Sequence, residues 1–144
     1  YKGENKMNLL GNCKIVPAIV PTAGSVDAIT ATAVDCTGFD RVMYVLGTGA
    51  AGTGATLTLK VQEASVVAMT SAADITGAAL VNLAAATGAS KMYGIDCRVN
   101  PAKPFQILVG DVGTQTFANG AVAILYEGSG TYPKIAATQA VIVS

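Results

Sequence analysis

Apolar and polar residues alternate along short segments of this chain, and glycine, proline and small polar residues separate the segments. In residues 56–62, Leu57, Leu59 and Val61 are separated by polar residues. A period of two places successive side chains on opposite faces of a strand, whereas a helix repeats every three or four residues. The pattern therefore predicts β structure in which many strands bury one face.

A second alternating segment covers residues 93–99. Its apolar face consists of Tyr93, Ile95, Cys97 and Val99, and Asp96 and Arg98 lie side by side on the opposite face. We expect these two charges to form a surface or interface ion pair. Asn100-Pro101 ends the strand, because proline lacks the amide that a sheet needs.

Three segments are apolar on both faces, at residues 42–46, 105–109 and 121–126. Such strands are covered on both sides, by a second sheet and by something else, such as a neighbouring subunit. Weaker strand candidates are residues 13–20, an edge strand because of Pro17, and residues 28–34, 75–83 and 140–143.

These segments predict an all-β chain, a single antiparallel β-sandwich of jelly-roll type with about eight or nine short strands. Residues 1–11 form an N-terminal arm, residues 12–128 the sandwich, and residues 129–144 a linker with a C-terminal strand or arm. Residues 1–6 are either a non-native leader before Met7 or the remnant of a longer precursor. The terminal strand either closes its own sheet or pairs with a neighbour's sheet edge. The expected core is Val42, Tyr44, Leu46, Leu57, Leu59, Val61, Tyr93, Ile95, Cys97, Ile107, Val109, Val122 and Ile124.

Two parts of the chain allow a different interpretation, a helix in the alanine-rich segments and a nucleotide-binding loop at the glycines. Residues 64–73 and 78–86 are rich in alanine, the best helix former, but they are short, and the pattern leaves room only for a helical turn within 80–86. Residues 47–52 match the letters of the dinucleotide fingerprint, G-x-G-x-x-G. That motif needs a following helix to hold the pyrophosphate, and here a strand follows. We therefore interpret residues 47–54 as a flexible hairpin connection.

Composition narrows the function classes. The 144 residues include nine Lys+Arg, nine Asp+Glu, no His and no Trp, and only 12% are charged. The scattered cations form no basic stripe for nucleic acid, and no apolar run approaches the roughly 18 residues of a membrane span. Without histidine the chain lacks the commonest general base and metal ligand. A neutral surface of small residues is typical of an assembly subunit.

Neither the cysteines nor the carboxylates form a recognisable site. Cys13, Cys36 and Cys97 are far apart and lack C-x-x-C spacing, which favours buried thiols in a reducing compartment, with one disulfide plus a free thiol as the alternative. The carboxylates are spread along the chain, mostly at strand ends. We predict no catalytic, cofactor-binding or metal-binding residues, no cofactor, and no enzymatic activity.

The order of the motifs resembles that of small structural proteins of tailed bacteriophages, the head decoration and minor head proteins. The similarity covers roughly residues 25–126. At the position of a Ser-Asp-Asp-Gly turn and a tryptophan in those proteins, this chain has Ala64-Ser65-Val66-Val67-Ala68. The matching segments are Gly38-Phe39-Asp40-Arg41-Val42-Met43-Tyr44-Val45, the glycines 49–54, Leu59-Lys60-Val61-Gln62-Glu63, Asp74-Ile75-Thr76-Gly77-Ala78-Ala79, Ile95-Asp96-Cys97-Arg98 and Phe105-Gln106-Ile107-Leu108-Val109.

The resemblance implies a structural virion protein, made in the host cytoplasm, that decorates and stabilises the outside of a phage head. Its expected partners are the major capsid protein and further copies of itself, as a dimer or trimer, and neither nucleic acid nor a membrane. Two alternatives stay open: a structural protein of the phage neck, tail or spike base, and a carbohydrate-binding β-sandwich.

Overall fold

The computed structural model describes residues 13–22, 29, 31–113 and 115–128, which form eight β-strands and one helical turn. Within these residues, no helix is long and apolar enough to cross a membrane. The strands are β1 (Lys14–Thr22), β2 (Val34–Asp35), β3 (Phe39–Ala51), β4 (Thr56–Ala64), β5 (Ala73–Ala84), β6 (Met92–Arg98), β7 (Phe105–Asp111) and β8 (Phe117–Gly128).

The strands form two antiparallel sheets of four, in the orders β1-β8-β3-β6 (sheet 1) and β2-β7-β4-β5 (sheet 2). The antiparallel pairs β1–β8, β2–β7, β3–β6 and β4–β5 are those of one long hairpin rolled into two layers. That is the jelly-roll order. The predicted β-sandwich is confirmed, and β1, which contains Pro17, lies at the edge of its sheet.

The core lies between the two sheets and contains most of the residues that alternation predicts. Val42, Tyr44 and Leu46 of β3 face Leu57, Leu59 and Val61 of β4, and none of the six is more than 2% exposed. Burial of these side chains supplies the main driving force for pairing the sheets. In β6, Ile95 and Cys97 are buried and Tyr93 packs against the cluster.

The predicted faces of β7 and β8 were wrong. The inward residues are Gln106 and Leu108 in β7, and Ala121, Ala123 and Leu125 in β8. Ile107, Val109, Val122 and Ile124 point away from the core instead. When both sets of alternate residues are apolar, the pattern does not fix which set faces inward, and a shift of one residue reverses every side chain.

The prediction of a flexible connection was also wrong for residues 47–51, because β3 continues to Ala51. The connection to β4 is a tight turn in which the Ala55 amide donates to the Gly52 carbonyl at 2.9 Å. Gly47 and Gly49 allow neighbouring side chains to pack closely. A Cβ on Gly47 would lie 3.3 Å from the Met92 Sδ, and a Cβ on Gly49 would lie 3.0 Å from the Ala118 Cβ. A strand follows the turn, as the rejection of a dinucleotide site requires.

Smaller differences concern weaker segments. Of the strand predicted over 28–34, the described residues show only Val34 in β2. Two of its described residues contact different sheets, since the Thr32 amide donates to the Ala18 carbonyl in sheet 1 and the Ile29 amide donates to the Gly110 carbonyl in sheet 2. The predicted strand over 75–83 is β5, and the helical turn follows it at Ala85–Gly88. The arm at 1–11 and the linker and strand at 129–144 lie outside the described residues and stay predictions.

Candidate interaction surfaces

The outer face of sheet 1 is apolar across its middle. Two rows of cross-strand neighbours cover it, one with Ile15, Ile124 and Met43, the other with Pro17, Val122 and Val45. Met43 is 36% exposed and Val122 40% exposed. An antiparallel sheet in water usually carries polar side chains on its outer face, so this face departs from the ordinary pattern.

A groove of about 470 Å³ lies next to these rows, toward the end of β3. Gly47, Gly49 and Gly120 form part of its lining, Pro17 and Pro21 of β1 line one side, and Met92 of β6, which is 68% exposed, lines the other. Pro21 lies so close that a Cβ on Gly120 would come within 2.9 Å of its Cγ. The groove contains no charged side chain.

Sequence reasoning missed this groove. Residues 47–54 were predicted to be a hairpin connection, which places Gly47 and Gly49 in a loop, and no role was predicted for Gly120. The available signal is their spacing: Gly47 and Gly49 are two residues apart, as outward positions of one strand are, and Gly47 pairs with Gly120 on β8. Missing side chains on neighbouring strands leave a depression in the sheet surface.

A polar cluster closes the other end of the same face, and it corrects the expected ion pair. Asp96 pairs with Arg41 of β3, with the Nη2–Oδ2 distance 2.5 Å, and not with Arg98. The Arg41 Nε donates to the Tyr126 hydroxyl at 3.0 Å, and that hydroxyl donates to Asp96 Oδ1 at 2.8 Å. The cluster joins β6, β3 and β8 through their side chains. The hydrogen bond to Asp96 and, to a smaller extent, the one to Tyr126 raise the pKa of Arg41. The pKa of Tyr126 is also raised, mainly by burial.

The outer face of sheet 2 is more polar. Lys60 Nζ donates to Asp74 Oδ2 at 2.8 Å and Gln62 Nε2 donates to Asp74 Oδ1 at 2.7 Å. These two hydrogen bonds, the one from Lys60 first, lower the pKa of Asp74. Lys103 Nζ lies 3.4 Å from Glu63 Oε1. Such exposed pairs contribute little to stability, but they keep this face hydrated.

A second apolar surface lies at the β4–β5 hairpin, where the loop of residues 65–72 leads into the edge strand β5. Val66 and Val67 at the loop are 44% and 62% exposed, and Val81 of β5 is 63% exposed. Across residues 64–84 the only charged residue is Asp74, whose carboxylate is already paired. We call this hairpin, residues 64–84, the valine hairpin.

The polar groups inside the sandwich are structural. The Tyr44 hydroxyl donates to the Gln106 Oε1 at 3.3 Å, and Gln106 Nε2 donates to the Arg98 carbonyl at 3.2 Å. The hydroxyl of Thr48 donates to the Gly88 carbonyl at 2.6 Å and accepts from the Lys91 amide at 3.0 Å. Asn119 Nδ2 donates to the Phe117 carbonyl at 2.8 Å, whereas Asn119 Oδ1 has no partner among the described residues.

The three cysteines are buried free thiols, as the sequence favoured. Burial first, and then the nearby Asp35, raises the pKa of Cys36 to about 12, and burial raises that of Cys97 to about 11. Thiols in this state are poor nucleophiles because the thiolate is the reactive form. Within the residues that the structure describes, no three His, Cys, Asp or Glu side chains lie together as metal ligands would.

Comparisons with known proteins add a similarity to solved structures. No protein-family model matches the chain, and no curated protein matches it. Among solved structures, a chain from the structure of infectious bursal disease virus Gx strain is 12% identical with a TM-score of 0.49, and the match covers 85% of this chain. It covers 34% of that chain, so this protein spans about a third of its length. At this identity and TM-score the similarity shows neither a family nor a function for this chain.

Proposed function

We propose that this chain is a structural virion protein that decorates the outer surface of a bacteriophage head and stabilises the shell. Its partners are then the major capsid protein and neighbouring copies of itself, and it carries out no chemical reaction. The resemblance of its ordered motifs to head decoration proteins suggests the setting. The valine hairpin is the structural observation that supports it.

The valine hairpin exposes apolar side chains at a sheet edge, where proteins usually place charges to prevent association. Val66 and Val67 are adjacent in the loop, and Val81 lies apart from them, beside the Leu59–Leu80 pair. Exposed apolar surface with few charged residues around it marks contact sites between proteins. Register shifts in the pairing of β5 with β4 interrupt the edge. We therefore expect the side chains of Val66, Val67 and Val81 to make the contact, and not backbone pairing with an added strand.

The test uses particles of the virus that encodes the chain, stripped of this protein and then mixed with it. We expect the protein to raise the temperature or osmotic shock at which the heads rupture. Val67→Asp should weaken this protection, because a charge would be buried against the shell. Thr53→Asp, at the exposed turn between β3 and β4, is the matched control and should protect like the unaltered chain.

Equal rupture with and without the protein would refute the proposal. The number of copies on the particle separates decoration from a role in the neck, tail or spike base, because a decoration protein repeats over the whole head and the other proteins do not. If the protein does not bind the particle but binds an array of glycans, it is a carbohydrate-binding module instead.

A further inference from the structure

We propose that the free edge of β6 is the contact site for a second copy of this chain. The β6 strands of the two copies pair in antiparallel directions and join their sheets 1 across a two-fold axis. This edge is separate from the valine hairpin, so the contact forms in solution and does not depend on the proposed role in a virion.

Of the four edge strands that the structure describes, three have features that block an added strand. β1 contains Pro17 and Pro21 and has two register shifts, β2 is two residues long, and two register shifts interrupt β5. Prolines, bulges and short length are means by which proteins protect a sheet edge. β6 has none of these features, because its seven residues pair with β3 without a register shift.

The backbone of β6 has bonding groups on its free edge. The Val99 amide donates to the Asp40 carbonyl, and the Thr48 amide donates to the Lys91 carbonyl, both at 2.9 Å. The odd-numbered residues at the two ends of β6 therefore bond to β3. Residues alternate in direction along an antiparallel ladder, so the amides and carbonyls of the even-numbered residues point to the free edge. Those with no hydrogen-bond partner among the described residues are Met92, Gly94 and Asp96.

The two faces of β6 favour a second copy as the added strand. Ile95 and Cys97 are buried on the inward face, and the even-numbered residues are exposed on the outward face. A two-fold axis perpendicular to the sheet keeps the inward faces of both strands on the same side. The second β6 therefore continues the apolar layer below the sheet and the exposed layer above it.

The charges of β6 select the register of the pair. A register centred on Ile95 pairs all seven residues and places Gly94 opposite Asp96 of the second copy. No Cβ contact within 4 Å exists at Gly94, so there is room beside the opposing carboxylate. A register centred on Asp96 would place two carboxylates directly opposite each other, which is destabilising. We therefore expect the pair to centre on Ile95.

Sedimentation equilibrium of the full chain over a range of concentrations tests the proposal. We expect a reversible dimer, with an average mass that rises from 14.4 kDa toward twice that value. Gly94→Pro removes an amide that points to the free edge and no bond to β3, so it should abolish the dimer. Gly94→Ala keeps the amide, is the matched control, and should leave the dimer intact.

Two charged variants give a second test that does not depend on the folding of Gly94→Pro. Gly94→Asp puts like charges opposite each other twice in the dimer, and Gly94→Lys puts opposite charges there. The dissociation constant of Gly94→Asp should therefore be at least about fivefold higher than that of Gly94→Lys. Thr53→Asp and Thr53→Lys, at the exposed turn between β3 and β4, are the controls and should not differ from the unaltered chain.

A mass of 14.4 kDa at every concentration up to about 1 mM would overturn the proposal. Equal dissociation constants for Gly94→Asp and Gly94→Lys would also overturn it, because the contact would then lie elsewhere or in another register. Neither result bears on whether the protein protects heads from rupture, so the two proposals can fail separately.

Discussion

Gly110 of β7 lies where the backbone of β4 leaves no room for a side chain. A Cβ at this position would come within 2.5 Å of both the Leu59 Cδ2 and the Thr58 carbonyl oxygen. Backbone cannot rotate away as a flexible side chain can, so β7 would have to move. We expect Gly110→Ala to lower the free energy of unfolding by about 1–3 kcal/mol in urea denaturation.

Gly94 of β6 is the matched control, because no heavy atom lies within 4 Å of the Cβ that an alanine would place there. Gly94→Ala should be neutral or raise the free energy of unfolding by about 0.4–1 kcal/mol, since alanine restricts the unfolded chain more than glycine does. Equal losses in the two variants would show that contact with β4 is not the cause.

The thiols of Cys36 and Cys97 are 0% and 3% exposed, and burial raises their pKa values to about 12 and 11. At pH 8 both are therefore protonated and out of contact with solvent. We expect a thiol reagent to label them only at the rate at which the native chain unfolds, and at once in denaturant. A native labelling rate that ignores added denaturant would contradict the buried placement.

At the scale of the element, the two faces of β8 differ in burial, because one faces the core and the other lies on the outside of sheet 1. Leu125 is fully buried, whereas Val122 is 40% exposed on the outer face. We expect Leu125→Ala to cost about 2–5 kcal/mol, through lost burial and the cavity left behind. Val122→Ala should cost at most about 1 kcal/mol. Thermal or urea unfolding of the two variants compares them directly, and the reverse order would restore the face assignment that the sequence suggested.

That reversal shows how far alternation predicts the elements. β4 and β6 have polar residues on one face, so their inward residues are determined and were predicted correctly. β7 and β8 have apolar residues on both, and their inward face depends on the partner strands across the sandwich, which no local pattern contains. The sequence did not predict the groove for the same reason, because Gly120 lines it only as the cross-strand partner of Gly47.

At the scale of the whole molecule, the two central strands of sheet 1 explain why the chain is so apolar. β3 and β8 lie side by side, and these are the strands that contain residues 42–46 and 121–126. Their outward residues form one continuous surface instead of separate exposed positions. Its charged groups at one end, Arg41 and Asp96, neutralise each other. The apolar residues that the sequence has in excess are thus concentrated on one surface, which is suited to contact with other protein segments.

The titratable groups predict a stability plateau for the whole molecule. The chain has no histidine, so no imidazole titrates near neutral pH. Hydrogen bonds from the side chain and then the backbone of Thr37 lower the pKa of Asp35 below 3.8, and the bonds from Lys60 and Gln62 lower that of Asp74. A pKa that is lower in the folded state gives stability that is present above pH 3.8 and is lost as the pH falls through the folded value.

The thiols set the alkaline limit, with the opposite sign. The pKa values of Cys36 and Cys97 rise from 9.0 on folding, so their stabilisation is complete below pH 9 and is lost as the pH rises further. Urea midpoints measured from pH 3 to pH 10 should therefore be level between about pH 5 and pH 8 and fall on both sides. Asp74→Asn should make the acid limb shallower and leave the alkaline limb unchanged, because Asp74 does not contribute to the raised pKa of either thiol. A midpoint that changes steeply near pH 6.5 would contradict this account, because none of the groups that carry it titrates there.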